Sequence, residues 1–166
     1  MTKLFASLIL LSLTVACNNG FEKQKPKKTT RPEVRQETDS FSINQDYIQL
    51  VNEVRINKGL TPMSYLTIIE DIARGHSKGM ALHTRPFGHM GFTARCRWLR
   101  NRMGRHRQCA ELVAMGQKNI KAVFRAWMKE PKHREEIERP GFTHTGLGLF
   151  KDERGVVYWT QMFIEL

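Results

Sequence analysis

The stretch from Ala126 to Arg134 holds a carboxylate and an imidazole at helical spacing, Glu130 and His133. Pro131 lies between them, and proline suits the first turn of a helix because its missing N–H would have no helical partner there. Side chains three residues apart on a helix share one face. The spacing therefore predicts that Glu130 and His133 point toward the same place.

Two polar residues upstream could converge on the same cleft. His89 lies in a glycine-containing loop, where a functional and a structural role are both open, and Glu111 precedes a short apolar run. Imidazoles and carboxylates suit a divalent cation such as zinc. With only His89 and His133 as direct ligands, that site would be weak and exchangeable. Without metal, Glu111 and His133 could form an acid–base pair.

The motifs of covalent catalysis are missing from the chain. It contains no nucleophile elbow, no His-Glu-x-x-His helix and no convincing Ser-His-Asp order. The spacing Glu130-x-x-His133 also occurs in di-iron helix bundles, but such bundles need two copies and this chain has one. The missing nucleophile favours a binding protein over a hydrolase.

The elements that must position these residues begin near Phe41. Residues 42–45 fit a capping box, and the apolar spacing behind them predicts a helix that ends at Lys58-Gly59. A second helix is predicted over residues 64–82. Its apolar stripe includes His76, which favours a core histidine hydrogen-bonded to a carbonyl over a ligand.

A third helix, predicted over residues 93–104, carries a dense run of arginines. The run comprises Arg95, Arg97, Arg100, Arg102, Arg105 and Arg107. Such a run is usually a solvated face, but here no acid is interleaved to relieve the repulsion. One arginine could simply pair with Glu111. The alternative is an anion-binding surface formed by Arg95, Arg97, Arg100 and Arg102.

The rest of the chain predicts an α+β fold. A candidate strand at residues 112–115 precedes a helix capped by Asn119, and a short helix covers residues 131–138. Apolar and polar residues alternate at residues 145–150 and 156–163, which predicts two strands joined as a hairpin. Helices followed by a terminal hairpin are typical of an antiparallel sheet covered by helices.

Charge and the first residues point to export. The chain has 166 residues and a formal net charge of +11. A chain this basic favours anionic binding partners, such as lipid headgroups, lipopolysaccharide, wall polymers or nucleic acid. Lys3 and the apolar run at residues 4–15 form a secretory signal. The run is too short for a transmembrane helix, which needs about 20 residues.

Cys17 directly follows Ala16 at the expected cleavage point, which resembles a bacterial lipobox. In such signals the cysteine becomes the lipidated N-terminus, although Thr14 departs from the usual leucine. The alternative is an ordinary signal peptide with a coincidental cysteine. We expect a signal over residues 1–17, a disordered tether over residues 18–40, which hold few apolar side chains, and a domain over residues 41–166.

Export would place Cys96 and Cys109 in an oxidising compartment. With Cys17 acylated, these are the two cysteines that remain, and an even number can pair. A disulfide between them would stabilise the fold by roughly 3 kcal/mol. Two separate buried thiols are the alternative. Export also argues against a nucleic-acid partner. We expect a monomer, either anchored in the cell envelope, at the outer membrane or in the periplasm, or secreted.

The order of motifs resembles the CAP superfamily of cysteine-rich secretory, antigen 5 and pathogenesis-related 1 proteins, in its bacterial SCP-like form. No single motif is specific, but together they run through roughly residues 45–163. They are residues 50–55 and 59–62, residues 73–80, Phe87-Gly88-His89, Ala110-Glu111, residues 127–134, Gly146-Leu147-Gly148 and residues 158–161.

This resemblance implies a three-layer α-β-α sandwich and a central cleft. The cleft residues that it implies are His89, Glu111, Glu130 and His133. Leu112 stands where the family has an asparagine, a departure that bears on how Glu111 is oriented. The resemblance leaves two functions open. One is a lipid-anchored envelope module that binds a lipid or an anionic surface polymer. The alternative is a metal-assisted or acid–base hydrolase of peptide or cell-wall substrates.

Overall fold

The computed structural model describes residues 32–104 and 107–166, with side chains described from residue 44 onward. The predicted signal, Cys17 and the tether up to residue 31 lie outside this part of the chain. The described elements are α1 (Pro32–Asn57), β1 (Ser64–Tyr65), α2 (Thr67–Ala81), α3 (Phe92–Met103), β2 (Cys109–Met115), α4 (Ile120–Lys129), α5 (Pro131–Ile137), β3 (His144–Lys151) and β4 (Val157–Ile164).

The four strands form one sheet in the order β1-β3-β4-β2. The central strand β4 is antiparallel to β2 and β3, while β1 adds a short parallel edge. Alternate side chains of β4 enter different cores: Trp159 and Phe163 pack with residues of α1, α4 and α5, whereas Met162 packs with residues of α2 and α3. The predicted three-layer α-β-α sandwich is therefore confirmed.

Two element boundaries differ from the prediction. Helix α1 begins at Pro32, so residues 32–40, predicted as tether, are helical and the predicted cap at 42–45 lies inside the helix. The scarcity of apolar residues argued against burial there, but glutamate, arginine and glutamine are good helix formers and proline suits the first turn. At the second helix, residues 64–65 form β1 instead, because Leu66 is extended and α2 starts at Thr67.

The other local predictions agree closely with the structure. The Asn119 side chain accepts a hydrogen bond from the amide of Ala122 and caps α4. The terminal hairpin is present as β3 and β4. Strand β2 is longer than predicted, because its pairing with β4 already begins at Cys109. None of the helices in the described part of the chain is long and apolar enough to cross a bilayer.

Helix α2 lies directly on β3 at two glycines. A Cβ atom added at Gly146 would lie 2.3 Å from the amide nitrogen of Glu70. One added at Gly148 would lie 1.9 Å from the amide nitrogen of Arg74. Side-chain rearrangement cannot relieve either contact, since both involve helix backbone. The two glycines thus set the spacing between this helix and the sheet.

A buried arginine of α1 holds the segment that follows α5. The guanidinium of Arg55 donates hydrogen bonds to the carbonyls of Thr61, Ile137, Arg139 and Phe142, at 2.9 to 3.0 Å. Burial lowers the pKa of this group from its ordinary value. Because Arg139 and Phe142 line the cleft described below, Arg55 positions one wall of that cleft.

Candidate functional site

A disulfide joins α3 to the first residue of β2. Cys96 and Cys109 are bonded, with their Cα atoms 6.2 Å apart, which confirms the predicted pairing. The bridge lies beside the two residues that build the site. Arg95 precedes Cys96 on α3, and Glu111 lies shortly after Cys109 on β2.

Glu111 is held by a two-pronged ion pair with Arg95. Nε of Arg95 donates to Oε2 of Glu111 at 2.7 Å, and Nη2 donates to Oε1 at 2.7 Å. The side chains are buried, with 7% of Arg95 and 1% of Glu111 exposed. Nη1 of Arg95 also donates to the carbonyl of Met90 at 2.8 Å. Charge-assisted, two-pronged pairs are among the strongest protein hydrogen bonds, so the carboxylate is fixed in place.

His89 is the second partner of Glu111. Its Nδ1 lies 3.0 Å from Oε1 of Glu111, and 52% of its side chain is exposed. With Nδ1 engaged by the carboxylate, Nε2 is the ring nitrogen left for other partners. A carboxylate bound to one ring nitrogen orients the imidazole and fixes its tautomer. The predicted association of His89 with Glu111 is thus seen in the structure.

His76 of α2 approaches the same carboxylate from the core. Its Nε2 lies 2.7 Å from the carbonyl of Gly88, as expected for a core histidine, and 3.9 Å from Oε1 of Glu111, beyond hydrogen-bond range. Burial lowers the pKa of His76, with smaller effects from Gly88 and nearby charges. His76 is therefore uncharged at neutral pH and anchors the loop that carries His89.

Glu130 and His133 lie at the start of α5, as predicted. Glu130 is the N-cap residue and Pro131 occupies the first turn. Burial lowers the pKa of His133, the Glu130 charge opposes that change, and a charge on His89 adds to it. The charges of Glu130 and His89 thus act on the His133 imidazole in opposite directions. The described contacts of Glu111 are with Arg95, His89 and His76, so the predicted cluster of four is joined directly only at His89 and Glu111.

A cleft of about 480 Å³ opens beside this pair. His89 and Glu111 line it together with Arg107 and Arg139, two basic residues that the sequence analysis did not assign to the cleft. Arg107 is 3.7 Å from Glu165, and Arg139 pairs with Glu136. Arg107 precedes β2 and Arg139 follows α5, where Arg55 holds the chain, so local spacing carries no signal of their approach.

The residues present do not fit a dedicated zinc site. Both oxygens of Glu111 already accept hydrogen bonds from Arg95 or His89, so a metal would compete with these partners for the carboxylate. Among the side chains described, those of residues 44–104 and 107–166, no group of three or more histidine, cysteine or acidic side chains could hold a metal ion. The imidazoles of His89 and His133 and the carboxylate of Glu130 therefore do not form the three-ligand set of a catalytic zinc site.

Zinc affinity should consequently be low. In a calorimetric titration of the full chain we expect a Kd no tighter than about 0.1 mM, or roughly −5.5 kcal/mol. The double variant His89→Ala/His133→Ala should lose even this signal, and His83→Ala on an exposed loop is the matched control. Binding with a Kd below about 1 µM that disappears in the double variant would contradict this description of the site.

The arginines of α3 divide into two groups. Of the two predicted alternatives, Arg95 follows the pairing with Glu111, and its place in the anion-binding set is corrected. Its guanidinium is buried against Glu111 because Arg95 lies on the same helix face as Leu99. Arg97, Arg100 and Arg102 are exposed. We call these three residues the arginine face. None of them forms an ion pair with a residue in the described part of the chain.

Leu112, the departure from the resembled motif, does not disturb Glu111. Adjacent residues of a strand point to opposite faces. Leu112 is 1% exposed and packs in the core with Val123 and Trp127 of α4, while Glu111 faces α3. The orientation of the Glu111 carboxylate is set by Arg95 and His89 instead.

Comparison with known proteins agrees with this geometry. A model of the cysteine-rich secretory protein family, CAP, matches residues 48–163. The chain belongs to the CAP family. Its CAP domain is 33% identical over 119 residues to the uncharacterized protein YkwD of Bacillus subtilis (strain 168). That match covers 70% of this chain and 45% of YkwD, so the chain spans less than half of that relative.

Solved structures share the fold of this CAP domain. One is an extracellular protein containing an SCP domain from Bacillus anthracis str. Ames, with a TM-score of 0.68, 23% identity, and coverage of 81% of this chain and 44% of that one. Another is an outer surface protein of Borrelia burgdorferi, with a TM-score of 0.61, 15% identity, and coverage of 73% of this chain and 90% of that one. At these identities the likeness establishes the fold alone.

Proposed function

We propose that this CAP domain is the binding module of an exported, lipid-anchored protein of the bacterial cell envelope. Its ligand is an anionic component of that envelope, either a lipid or a surface polymer, and the arginine face is where it binds. The lipid anchor is Cys17, at the end of the signal-like segment.

The observation that carries this proposal is the unpaired charge of the arginine face. Arg97, Arg100 and Arg102 project from a helix that contains no acidic residue, and each is exposed without an ion-pair partner in the described residues. Exposed cations that are not neutralised internally attract anionic surfaces over distances set by the salt concentration. The net charge of +11 acts in the same direction.

A hydrolase that uses His89 and Glu111 is the less well supported alternative. Their hydrogen bond could orient the imidazole as a general base. However, the buried guanidinium of Arg95 already neutralises the carboxylate that an acid–base mechanism would use. Because the sequence also lacks a nucleophile motif, the arrangement favours a fixed structural ion pair beside a binding cleft.

The proposal is tested by charge reversal on vesicles. The full chain carrying Cys17→Ser, which cannot be acylated, is sedimented with phosphatidylglycerol-containing and with pure phosphatidylcholine vesicles. We expect Arg97→Glu/Arg100→Glu to weaken binding to the anionic vesicles by about 25-fold or more, since each basic residue near such a surface contributes about 1 kcal/mol. The effect should shrink as salt is raised.

The matched control reverses two charges on the opposite helical layer. Lys121 and Arg125 are exposed on α4. We expect Lys121→Glu/Arg125→Glu to change the affinity by less than about threefold. Equal weakening by the two double variants would mean that net charge alone governs binding, and the arginine face would then have no specific role.

A further inference from the structure

Exposed large apolar side chains are concentrated in the segment from the end of α2 through α3. Seven large apolar residues are exposed in the described part of the chain, and four of them lie within residues 82–98. These four are Leu82 at 49%, Phe87 at 51%, Met90 at 61% and Trp98 at 40% exposure. A local concentration of exposed apolar side chains marks an interaction site.

A groove of about 300 Å³ runs between α2, the loop before α3, and α3 itself. Its apolar lining residues are Ile72, Met90, Ala94 and Trp98. We call this set the Trp98 surface. Its volume is at the lower end of the range for small-molecule pockets. Met90 and Trp98 line the groove and are also exposed, so the apolar lining continues onto the outer surface.

Positive charge surrounds the Trp98 surface. Arg85 lines the groove, and the guanidinium carbon of Arg102 lies 5.3 Å from the centre of the Trp98 ring. Arg95, the remaining charged lining residue, is paired with Glu111. No acidic residue in the described part of the chain lines the groove. Its apolar floor and cationic rim therefore complement a ligand that is apolar at one end and anionic at the other.

We propose that the Trp98 surface docks on an anionic lipid bilayer. Met90 and Trp98 enter the boundary between headgroups and acyl chains, while Arg85 and Arg102, which lie beside them, contact lipid phosphates. Tryptophan is suited to this boundary, because its ring is apolar and its N–H is polar. Arginine can lay its stem along apolar surface and keep its charge in the headgroups.

This inference rests on the proposed function and narrows the anionic ligand to a bilayer. A soluble polyanion would bind the arginine face but would gain nothing from exposed Met90, Phe87 and Trp98. Interfacial segments combine basic residues with tryptophan, phenylalanine and leucine on an adjoining apolar face. The Trp98 surface likewise places exposed Trp98 and Met90 next to Arg85 and Arg102, which favours a membrane over a hydrophilic polymer.

Tryptophan fluorescence provides a direct test. Trp127 and Trp159 are 1% and 2% exposed, so Trp98 is the tryptophan that reports on the surface. The full chain with Cys17→Ser is mixed with phosphatidylcholine vesicles containing phosphatidylglycerol and brominated lipid. We expect a blue shift and quenching by the brominated chains, both removed by Trp98→Phe. Phosphatidylcholine vesicles and soluble dextran sulfate should give neither.

A side-chain variant separates insertion from charge attraction. Met90→Ser should weaken binding to the anionic vesicles about tenfold, because the variant loses the favourable transfer of the methionine side chain out of water. Met115→Ser is the matched control, because Met115 is 46% exposed on β2. We expect it to change binding by less than about twofold.

The outcomes distinguish this inference from the proposed function. Anionic vesicle binding that depends on the arginine face, but leaves Trp98 unquenched and is unaffected by Met90→Ser, would overturn insertion and leave the proposed function standing. Equal quenching in phosphatidylcholine vesicles would overturn the requirement for anionic lipid. Absence of binding to both anionic vesicles and dextran sulfate would overturn the proposed function as well.

Discussion

Arg95→Met should destabilise the protein by about 3–5 kcal/mol, the usual cost of leaving one partner of a buried ion pair uncompensated. The variant removes both hydrogen bonds that Arg95 donates to Glu111, a side chain that is 1% exposed. His89 remains as a partner, but half of its side chain lies in solvent. Urea denaturation at neutral pH measures the loss as a lower midpoint.

Two companion variants make this test specific. Arg97→Met removes an exposed arginine of the same helix, and we expect its stability to stay within about 0.5 kcal/mol of wild type. Arg95→Met/Glu111→Leu removes both charges and should regain most of the lost stability, because no unpaired carboxylate is left in the interior. A cost below about 1 kcal/mol for Arg95→Met alone would show that the pair does not organise the site.

Gly148→Ala should lower the free energy of unfolding by about 3 kcal/mol, near the upper end for overpacking. The new methyl carbon would lie 1.9 Å from the amide nitrogen of Arg74 and 2.3 Å from the carbonyl carbon of Ala73. Helix α2 must therefore move off the sheet, which also shifts His76 and the loop carrying His89. Calorimetric melting should show a clearly lower Tm than wild type.

Gly75→Ala provides the control within the same helix. A Cβ atom at Gly75 meets nothing within 4 Å, and alanine is the better helix former by about 0.8–1.0 kcal/mol. We expect this variant to be slightly more stable than wild type. If Gly148→Ala melted at the wild-type temperature, the close approach of α2 to β3 would not be a feature of the folded protein.

Features that depend on local periodicity were predictable from the sequence. Helix α3, the Asn119 cap and the terminal hairpin each follow from neighbouring residues, and the structure contains all three. The Cys96–Cys109 bridge also followed, from counting cysteines in a chain that we expected to be exported. Arg95 and Leu99 are four residues apart, so the helical spacing that places Leu99 inward also places Arg95 inward. The prediction treated Arg95 as one member of a charged run and did not use this spacing.

Features that depend on distant segments were not predictable in this way. The short strand β1 exists because residues 64–65 pair with residues 144–145, far along the chain. Three of the four carbonyls that Arg55 binds belong to the end of α5 and the turn after it, so its role appears only in the folded molecule. Arg107 and Arg139 line the cleft for the same reason, because segments that are distant in the sequence meet there. In each case the partner is chosen by tertiary packing and not by local spacing.

We propose that the arginine face, rather than the His89–Glu111 cleft, binds the anionic ligand. The measurement that tests it most directly compares vesicle affinity of His89→Ala/His133→Ala with that of Arg97→Glu/Arg100→Glu, in the full chain carrying Cys17→Ser. We predict that the histidine variant binds phosphatidylglycerol vesicles like the parent chain, while the arginine variant loses about 25-fold or more. Equal losses in the two variants would contradict the separation of the binding surface from the cleft.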